Sequence, residues 1–275
     1  MQCDSEQEAI EIRLLLEAIN AKYGYDLRDY ASTAMRRRVL AALSKSGLSH
    51  LGELQHQIIA NPAFFAEVLD SLTVRVSEIF RDPSFYRAFR ERVVPILRTY
   101  PLIRIWHAGC ASGEEVYTSA ILLTEEGLYD RSYLYATDLS LQAVDQAREG
   151  IYSADRLETL SENHRRSGGA SEFAGYFTAA YGRLAMRDSL RRNVSFFQHN
   201  LVSDYVFGEM HVIFCRNVLI YFAQNLREKV LDKLVQSLCP GGFLCLGASE
   251  QLPRVGRLRA FTAFCAEERI YRHEG

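Results

Sequence analysis

The stretch Trp106-His-Ala-Gly-Cys-Ala-Ser-Gly-Glu-Glu115 constrains the fold of this chain more than any other. The apolar run Leu102 to Trp106 has strand character, breaks into small residues and glycines, and is followed by the helical pattern Val116 to Leu123. A strand that turns through glycine into a helix presents backbone N–H groups to a ligand with no side chain in the way. Glu114 and Glu115 at that turn would repel a phosphate, so a nucleotide carrying a cation is favoured over a dinucleotide. The spacing fits neither Gly-x-Gly-x-x-Gly nor the Walker A pattern, which ends in Gly-Lys-Ser/Thr. Glycine turns between strand and helix occur throughout α/β proteins, so the loop alone also fits a turn with no ligand.

The strands that follow repeat the placement of a polar residue at a carboxyl end. Tyr133-Leu-Tyr-Ala-Thr137 reads as a second buried strand tipped by Asp138. A carboxylate there can accept both ribose hydroxyls of a nucleoside. It can equally cap the helix that Asp138-Leu-Ser-Leu-Gln-Ala-Val opens, with Ser140 as the alternative cap. Val194 to Gln198 reads as a third strand leading to Asn200-Leu201, and His211 to Cys215 as a fourth, leading to Arg216-Asn217. Polar tips on successive parallel strands line the crevice where doubly wound sheets bind ligands.

Composition excludes several classes. A formal net charge of −2 argues against a nucleic-acid partner, whose binding domains carry a basic excess. Apolar residues make up 48%, as in a soluble globular protein, and no apolar run reaches the roughly 18 residues a membrane span needs. The acidic N-terminus lacks the basic and apolar regions of a signal peptide. Six scattered cysteines with no C-x-x-C pair suit reduced thiols in a cytoplasm, Cys215 and Cys245 read as core, and no metal-ligand spacing is visible.

The expected organisation is an all-α domain over residues 1–82, a linker helix over 83–100, and an α/β domain over 101–275. Ile12, Leu15, Leu16, Ile19 and Met35, Val39, Leu40, Leu43 recur at helical spacing, and Asn61-Pro62 and Asp82-Pro83 mark helix starts. A helix is expected to end near Tyr152. A small β-subdomain is expected at about 168–192, and two last strands at Leu258 to Ala266 and Arg269 to Arg272.

Trp106-His-Ala-Gly-Cys-Ala-Ser-Gly-Glu-Glu-Val-Tyr117, Ala136-Thr-Asp138, Ala147-Arg-Glu-Gly-Ile-Tyr152, Asn200-Leu201, Phe214-Cys-Arg-Asn-Val-Leu-Ile-Tyr-Phe222 and Gly247-Ala-Ser-Glu250 occur in order. Leu72-Thr-Val-Arg-Val-Ser-Glu-Ile-Phe-Arg81 lies upstream. Together they resemble the chemotaxis receptor methyltransferases, the CheR family, from about Tyr25 to Tyr271. The resemblance implies a class I S-adenosylmethionine methyltransferase fold: a Rossmann-like, mostly parallel sheet with an N-terminal all-α domain and a small antiparallel β-insert. It implies methyl transfer from S-adenosylmethionine to glutamate side chains of chemoreceptors, leaving S-adenosylhomocysteine. The partner implied is the receptor's cytoplasmic helical domain, met by a cytoplasmic monomer without membrane insertion. Some members grip a receptor C-terminal peptide with the β-insert. Phe177-Thr-Ala-Ala-Tyr-Gly-Arg-Leu is shorter than in those members, so no tether is expected here.

Carried over by motif, the cofactor residues are Arg75, Ser77, Arg81, Glu115, Asp138, Asn200, Leu201, Asn217 and Val218. Ser77 and Arg81 would reach the cofactor from the helical domain. Arg81 could clamp a carboxylate or form a plain salt bridge. Tyr221 could shape the transfer site or pack in the core. Glu115 would meet the cofactor's ammonium group while Glu114 favours the helix N-terminus. Arg81 and Tyr221 are the catalytic candidates, and His107 reads as a structural histidine. Arg36-Arg37-Arg38 is either a solvated helix face or a docking surface for an acidic receptor helix. A methyltransferase for another acceptor and a degenerate cofactor-binding scaffold are the competing readings.

Overall fold

The computed structural model describes residues 2–27, 32–72, 77–253 and 256–275. They form two compact units: Met1–Val74 with Leu219–Lys229, and Arg75–Val218 with Val230–Gly275. Ser77 and Arg81 belong to the α/β unit, and Leu219–Lys229 returns to the helical unit.

In the helical unit, α1 (Gln2–Tyr23), α2 (Ser32–Ser46), α3 (Leu51–Ala60) and α4 (Pro62–Leu72) bury the periodic set Leu15, Ile19, Met35, Val39, Leu54, Ile58 and Leu69. Asn61 makes the α3–α4 corner. Its Oδ1 accepts the Ala63 and Phe64 N–H groups at 3.0 and 3.3 Å, and Pro62 fills the first turn, where no N–H is needed. The returning segment is pinned by backbone bonds from Asp26 N–H to Tyr221 O and from Ala223 N–H to Gly24 O. The Tyr25 ring meets Phe222 and Phe65 edge-on.

The α/β unit opens with α5 (Pro83–Ala88), a π-turn at Phe89–Val93 and α6 (Val94–Leu97). Pro95 explains the π-turn, since its ring displaces the carbonyl four residues back and donates no N–H. The chain continues through β1 (Ile103–Ala108), α7 (Glu114–Glu125), β2 (Ser132–Asp138), α8 (Leu141–Glu149), β3 (Ile151–Ser153), α9 (Leu157–Arg166), β4 (Phe177–Ala180) and β5 (Arg183–Met186). It ends with α10 (Asp188–Arg191), β6 (Val194–Gln198), β7 (Met210–Cys215), α11 (Gln224–Ser237), β8 (Leu238–Leu246), β9 (Phe261–Cys265) and β10 (Ile270–His273). Seven strands form one sheet in the order β6-β2-β1-β7-β8-β10-β9, parallel from β6 to β8 and antiparallel through β10 and β9. The order reverses at β1, whose neighbours are β2 and β7. A crevice therefore opens at the carboxyl end of β1, where the glycine turn lies.

The small sheet, in the order β3-β5-β4, begins earlier than expected. Gly150 at φ 62° ends α8 after Glu149, so Ile151–Ser153 is a strand paired with β5 and not the last turn of a helix. The β4–β5 hairpin turns through Tyr181 and Gly182, both at positive φ, as a two-residue hairpin loop requires. Leu258 to Ala260, expected as the start of a strand, lie in a 3-10 turn (Gly256–Ala260) ahead of β9.

Candidate functional site

The turn after β1 is tied down at every step. The N–H groups of Gly109 and Cys110 both donate to the Thr137 carbonyl at 2.8 Å, locking the turn to the end of β2. Gly109 sits at φ 81°, and a Cβ there would lie 2.4 Å from Cγ2 of Val218, so only glycine allows the residue after Asn217 to close on the turn. Gly113 stands at φ 91° just before α7, with room for a Cβ denied by Ala147 at 2.9 Å.

Asp138 holds the other side. Its Oδ2 accepts the Ala111 N–H at 2.8 Å and its Oδ1 the Ser140 N–H at 3.0 Å. The α8 cap is Ser140, whose Oγ accepts the Ala143 N–H. Asp138 is thus released from capping and spent on the glycine turn. Beyond β6, the Asn200 side-chain oxygen accepts the Val202 N–H at 2.9 Å, and its backbone N–H donates to Asp204, which shapes the loop carrying half-buried Leu201.

At the end of β7, Asn217 adopts φ 62°, and its N–H donates to Glu250 Oε2 at 2.9 Å. The same oxygen accepts the Gly247 N–H at 2.6 Å. Glu250, 4% exposed, therefore fixes an uncommon backbone conformation at a strand tip. The motif Gly247-Ala-Ser-Glu250 contains it, but the sequence alone gives it no site role.

Glu114 and Glu115 have separate environments. Ser112 Oγ donates to the Glu114 carboxylate at 2.8 Å, Ser77 adds a second hydrogen bond, and burial raises the Glu114 carboxyl above its ordinary range despite them. Glu115 is held at both oxygens, Oε1 by His107 Nδ1 at 3.1 Å and Oε2 by Arg216 Nη1 at 3.3 Å. Burial alone would raise Glu115, but the His107 hydrogen bond and the Arg216 charge outweigh it and hold the carboxyl below its ordinary value. Arg216 Nη2 reaches on to Asp82 Oδ2 at 2.8 Å, and its guanidinium lies over the Phe85 ring at 4.0 Å. Arg216 and Asp82 carry no sequence signal as a pair because they lie 134 residues apart, and the Glu250 contact to Asn217 spans 33.

Arg81 stands between two anchored neighbours. Phe80, at φ 56°, is fully buried and donates its N–H to Thr118 Oγ1, and Asp82, at φ 57°, is held by Arg216. Two non-glycine residues in the left-handed region on either side of an arginine are costly unless their surroundings fix them, and here both are fixed. Ser77, Arg81, Glu115, Asp138, Asn200, Leu201, Asn217 and Val218 all lie in the α/β unit. Tyr221 and the Arg36–Arg38 triplet lie in the helical unit, and Arg75 lies outside the described residues. His107 is fully buried and engaged with Glu115.

The arrangement suits a cationic nucleoside. It provides a turn drawn tight by two glycines, an ionised carboxylate held at both oxygens beside it, and a second carboxylate at the tip of β2. No group of His, Cys, Asp and Glu among the described residues is arranged to hold a metal ion.

Comparison with known proteins identifies the family. Residues 75–265 match the family described as "CheR methyltransferase, SAM binding domain", and residues 10–73 match "CheR methyltransferase, all-alpha domain". The "Putative methyltransferase Cher3" of Pseudomonas putida is 46% identical over 96% of both chains. The "Chemotaxis protein methyltransferase 1" of Vibrio cholerae is 32% identical over 88% of this chain and 89% of its own length. The "Chemotaxis protein methyltransferase" of Listeria monocytogenes is 32% identical over 83% and 85%. A glycine turn between two carboxylates at the sheet's switch point, matched together with the all-α domain ahead of it, places this chain in the CheR family of S-adenosylmethionine-dependent methyltransferases.

Proposed function

We propose that this chain methylates glutamate side chains on the cytoplasmic helical domain of a chemoreceptor, acting as a cytoplasmic monomer and forming glutamyl methyl esters in chemosensory adaptation. The observation that carries this reading is the match of both CheR domains along a chain whose relatives include chemotaxis protein methyltransferases over more than four-fifths of its length.

The chemistry is consistent with it. S-adenosylmethionine supplies an activated methyl group on a sulfonium centre. A glutamate acceptor has an unperturbed pKa of about 4.3 and is ionised at neutral pH, so it needs no general base. The residues have positioning and desolvation to provide. His107, the histidine beside the glycine turn, is fully buried with its Nδ1 on Glu115. In this reading Asp138 accepts the ribose hydroxyls, and Asn200, Leu201, Asn217 and Val218 line the nucleoside. Glu115 faces the ammonium group, and Ser77 and Arg81 face the carboxylate end of the cofactor. Arg75 completes the set, and Tyr221 shapes the transfer site.

The test is the stability of the product. Receptor cytoplasmic domain labelled with radioactive methyl by the purified chain should release its label in mild alkali, because a carboxylate acceptor gives an ester. Label that survives alkali would favour transfer to nitrogen and overturn the glutamate assignment.

A further inference from the structure

We infer that His107 is a positioning residue for the cofactor's ammonium group, acting through Glu115. The inference rests on the assignment of Glu115 proposed above.

His107 is the fifth residue of β1, 0% exposed, with Ala136 and Phe214 as its cross-strand neighbours. Its ring stacks on Phe214 at 4.6 Å and 9°, and Phe214 in turn meets Phe85 and Phe89. Nδ1 lies 3.1 Å from Glu115 Oε1, whereas buried Nε2 has no hydrogen-bond partner among the described residues. These contacts decide where the ring carries its proton. A hydrogen on Nε2 would be a buried donor without an acceptor, and the Nδ1 lone pair would then face a carboxylate lone pair. A hydrogen on Nδ1 makes a charge-assisted bond and leaves only an unfilled acceptor at Nε2. The geometry assigns the Nδ1–H form, donating to Glu115.

The consequence is directional. Arg216 Nη1 holds Oε2 of Glu115 and could by itself draw the carboxylate toward Asp82, its other partner. The His107 donor fixes Oε1 from the β1 side, so the carboxylate plane is set by two donors from different strands. Glu115, with 18% of its side chain exposed, keeps an accessible edge. A histidine at this place therefore sets the direction in which the negative charge faces, and that direction matters only to a ligand carrying the matching cation.

The experiment compares two ligands by calorimetry on the full chain: S-adenosylhomocysteine, which has the amino-acid moiety, and 5′-methylthioadenosine, which lacks it. His107→Leu should weaken S-adenosylhomocysteine about tenfold or more and leave 5′-methylthioadenosine unchanged. His107→Asn should recover most of the loss, because its side-chain amide nitrogen occupies the place of Nδ1. Glu115→Gln should show the same ligand selectivity and should make His107→Leu silent when the two are combined. Equal loss for both ligands, or failure of His107→Asn to recover affinity, would show a merely structural histidine. Equal binding of the two ligands by the wild type would instead remove Glu115 from the ammonium group, overturning that assignment together with this one. If His107→Leu does not fold, His107→Gln takes its place, since its amide nitrogen reaches toward the position of Nε2 and not that of Nδ1: loss confined to S-adenosylhomocysteine supports the inference, and no loss or equal loss for both ligands overturns it.

Discussion

Glu250 holds Asn217 by its backbone: one carboxylate oxygen accepts the Asn217 N–H at 2.9 Å and the Gly247 N–H at 2.6 Å, with Asn217 at φ 62°. A Cβ on Gly247 would come within 2.8 Å of both that oxygen and the Asn217 nitrogen, so the three residues are fitted to one another. Glu250→Ala removes the acceptor from two backbone donors at a site 4% exposed. At roughly 1–3 kcal/mol per unsatisfied donor, the loss of unfolding free energy should be on the order of 2–6 kcal/mol. Glu250→Gln keeps an acceptor oxygen and should retain most of the stability. Urea unfolding curves for the two variants check this. Equal midpoints for Ala and wild type would show that the contact contributes nothing.

Asp138→Ala should weaken binding of S-adenosylhomocysteine by about 1.5–3 kcal/mol, as a charged acceptor for hydroxyls is lost. Because Ser140 caps α8, the helix should survive, and circular dichroism should match wild type. The Ala111 N–H loses its partner as well, so part of the effect comes from a loosened turn. Asp138→Asn keeps one acceptor oxygen and should lie between the two. Calorimetry showing unchanged affinity for Asp138→Ala would limit Asp138 to organising the loop.

Much of this site was legible in the sequence because short apolar and aromatic strand runs end in polar residues at their tips, even where β2 and the edge strand β6 are partly exposed. Asp138, Asn200 and Asn217 stand at or just beyond the ends of β2, β6 and β7 for that reason. Ile151–Ser153 was hidden because three residues carry no period, and the glycine ending α8 reads the same whether a strand or a loop follows. The link from Arg216 to Asp82 was invisible for a different reason. Its two charges are 134 residues apart, and only the folded sheet brings them within 2.8 Å. The place of Leu219–Lys229 was hidden likewise, since its apolar run reads as core of either unit.

A buried ion cluster should make the α/β unit sensitive to acid. Glu125 accepts His164 Nε2 at 2.8 Å and the Tyr176 hydroxyl at 2.9 Å and pairs with Arg90. Burial would raise its carboxyl, but the His164 bond, the Arg90 charge and the Tyr176 bond outweigh it and bring the pKa to about 2. The folded value lies below the unfolded one, so this stabilisation is complete above about pH 4.5 and is lost as pH falls toward 2. Its size is at most on the order of 3 kcal/mol. Glu125→Gln should flatten that acid limb of a stability-against-pH curve, and a limb of unchanged steepness would assign acid sensitivity elsewhere.

Docking should depend chiefly on Arg37. The three arginines of α2 differ in the fold: Arg36 pairs with Glu8, and Arg38 donates to the Leu72 carbonyl at 3.2 Å. Arg37 is exposed, with no partner among the described residues. Arg38→Ala should therefore cost stability, whereas Arg37→Ala should not. If α2 meets an acidic receptor helix, Arg37→Ala should raise the apparent KM for receptor and flatten its salt dependence. Turnover at saturating receptor and affinity for S-adenosylhomocysteine should stay near wild type, because the contact serves ground state and transition state alike. One exposed ion pair contributes about 0–1 kcal/mol, so the rise in KM should be about fivefold at most. Long-range steering, screened beyond about 8 Å at physiological salt, should make the difference largest at low ionic strength. Kinetics of Arg37→Ala that match wild type at low salt would leave α2 a solvated face. Receptor choice would then rest with the small sheet, where Tyr181 stands fully exposed at the tip of the β4–β5 hairpin.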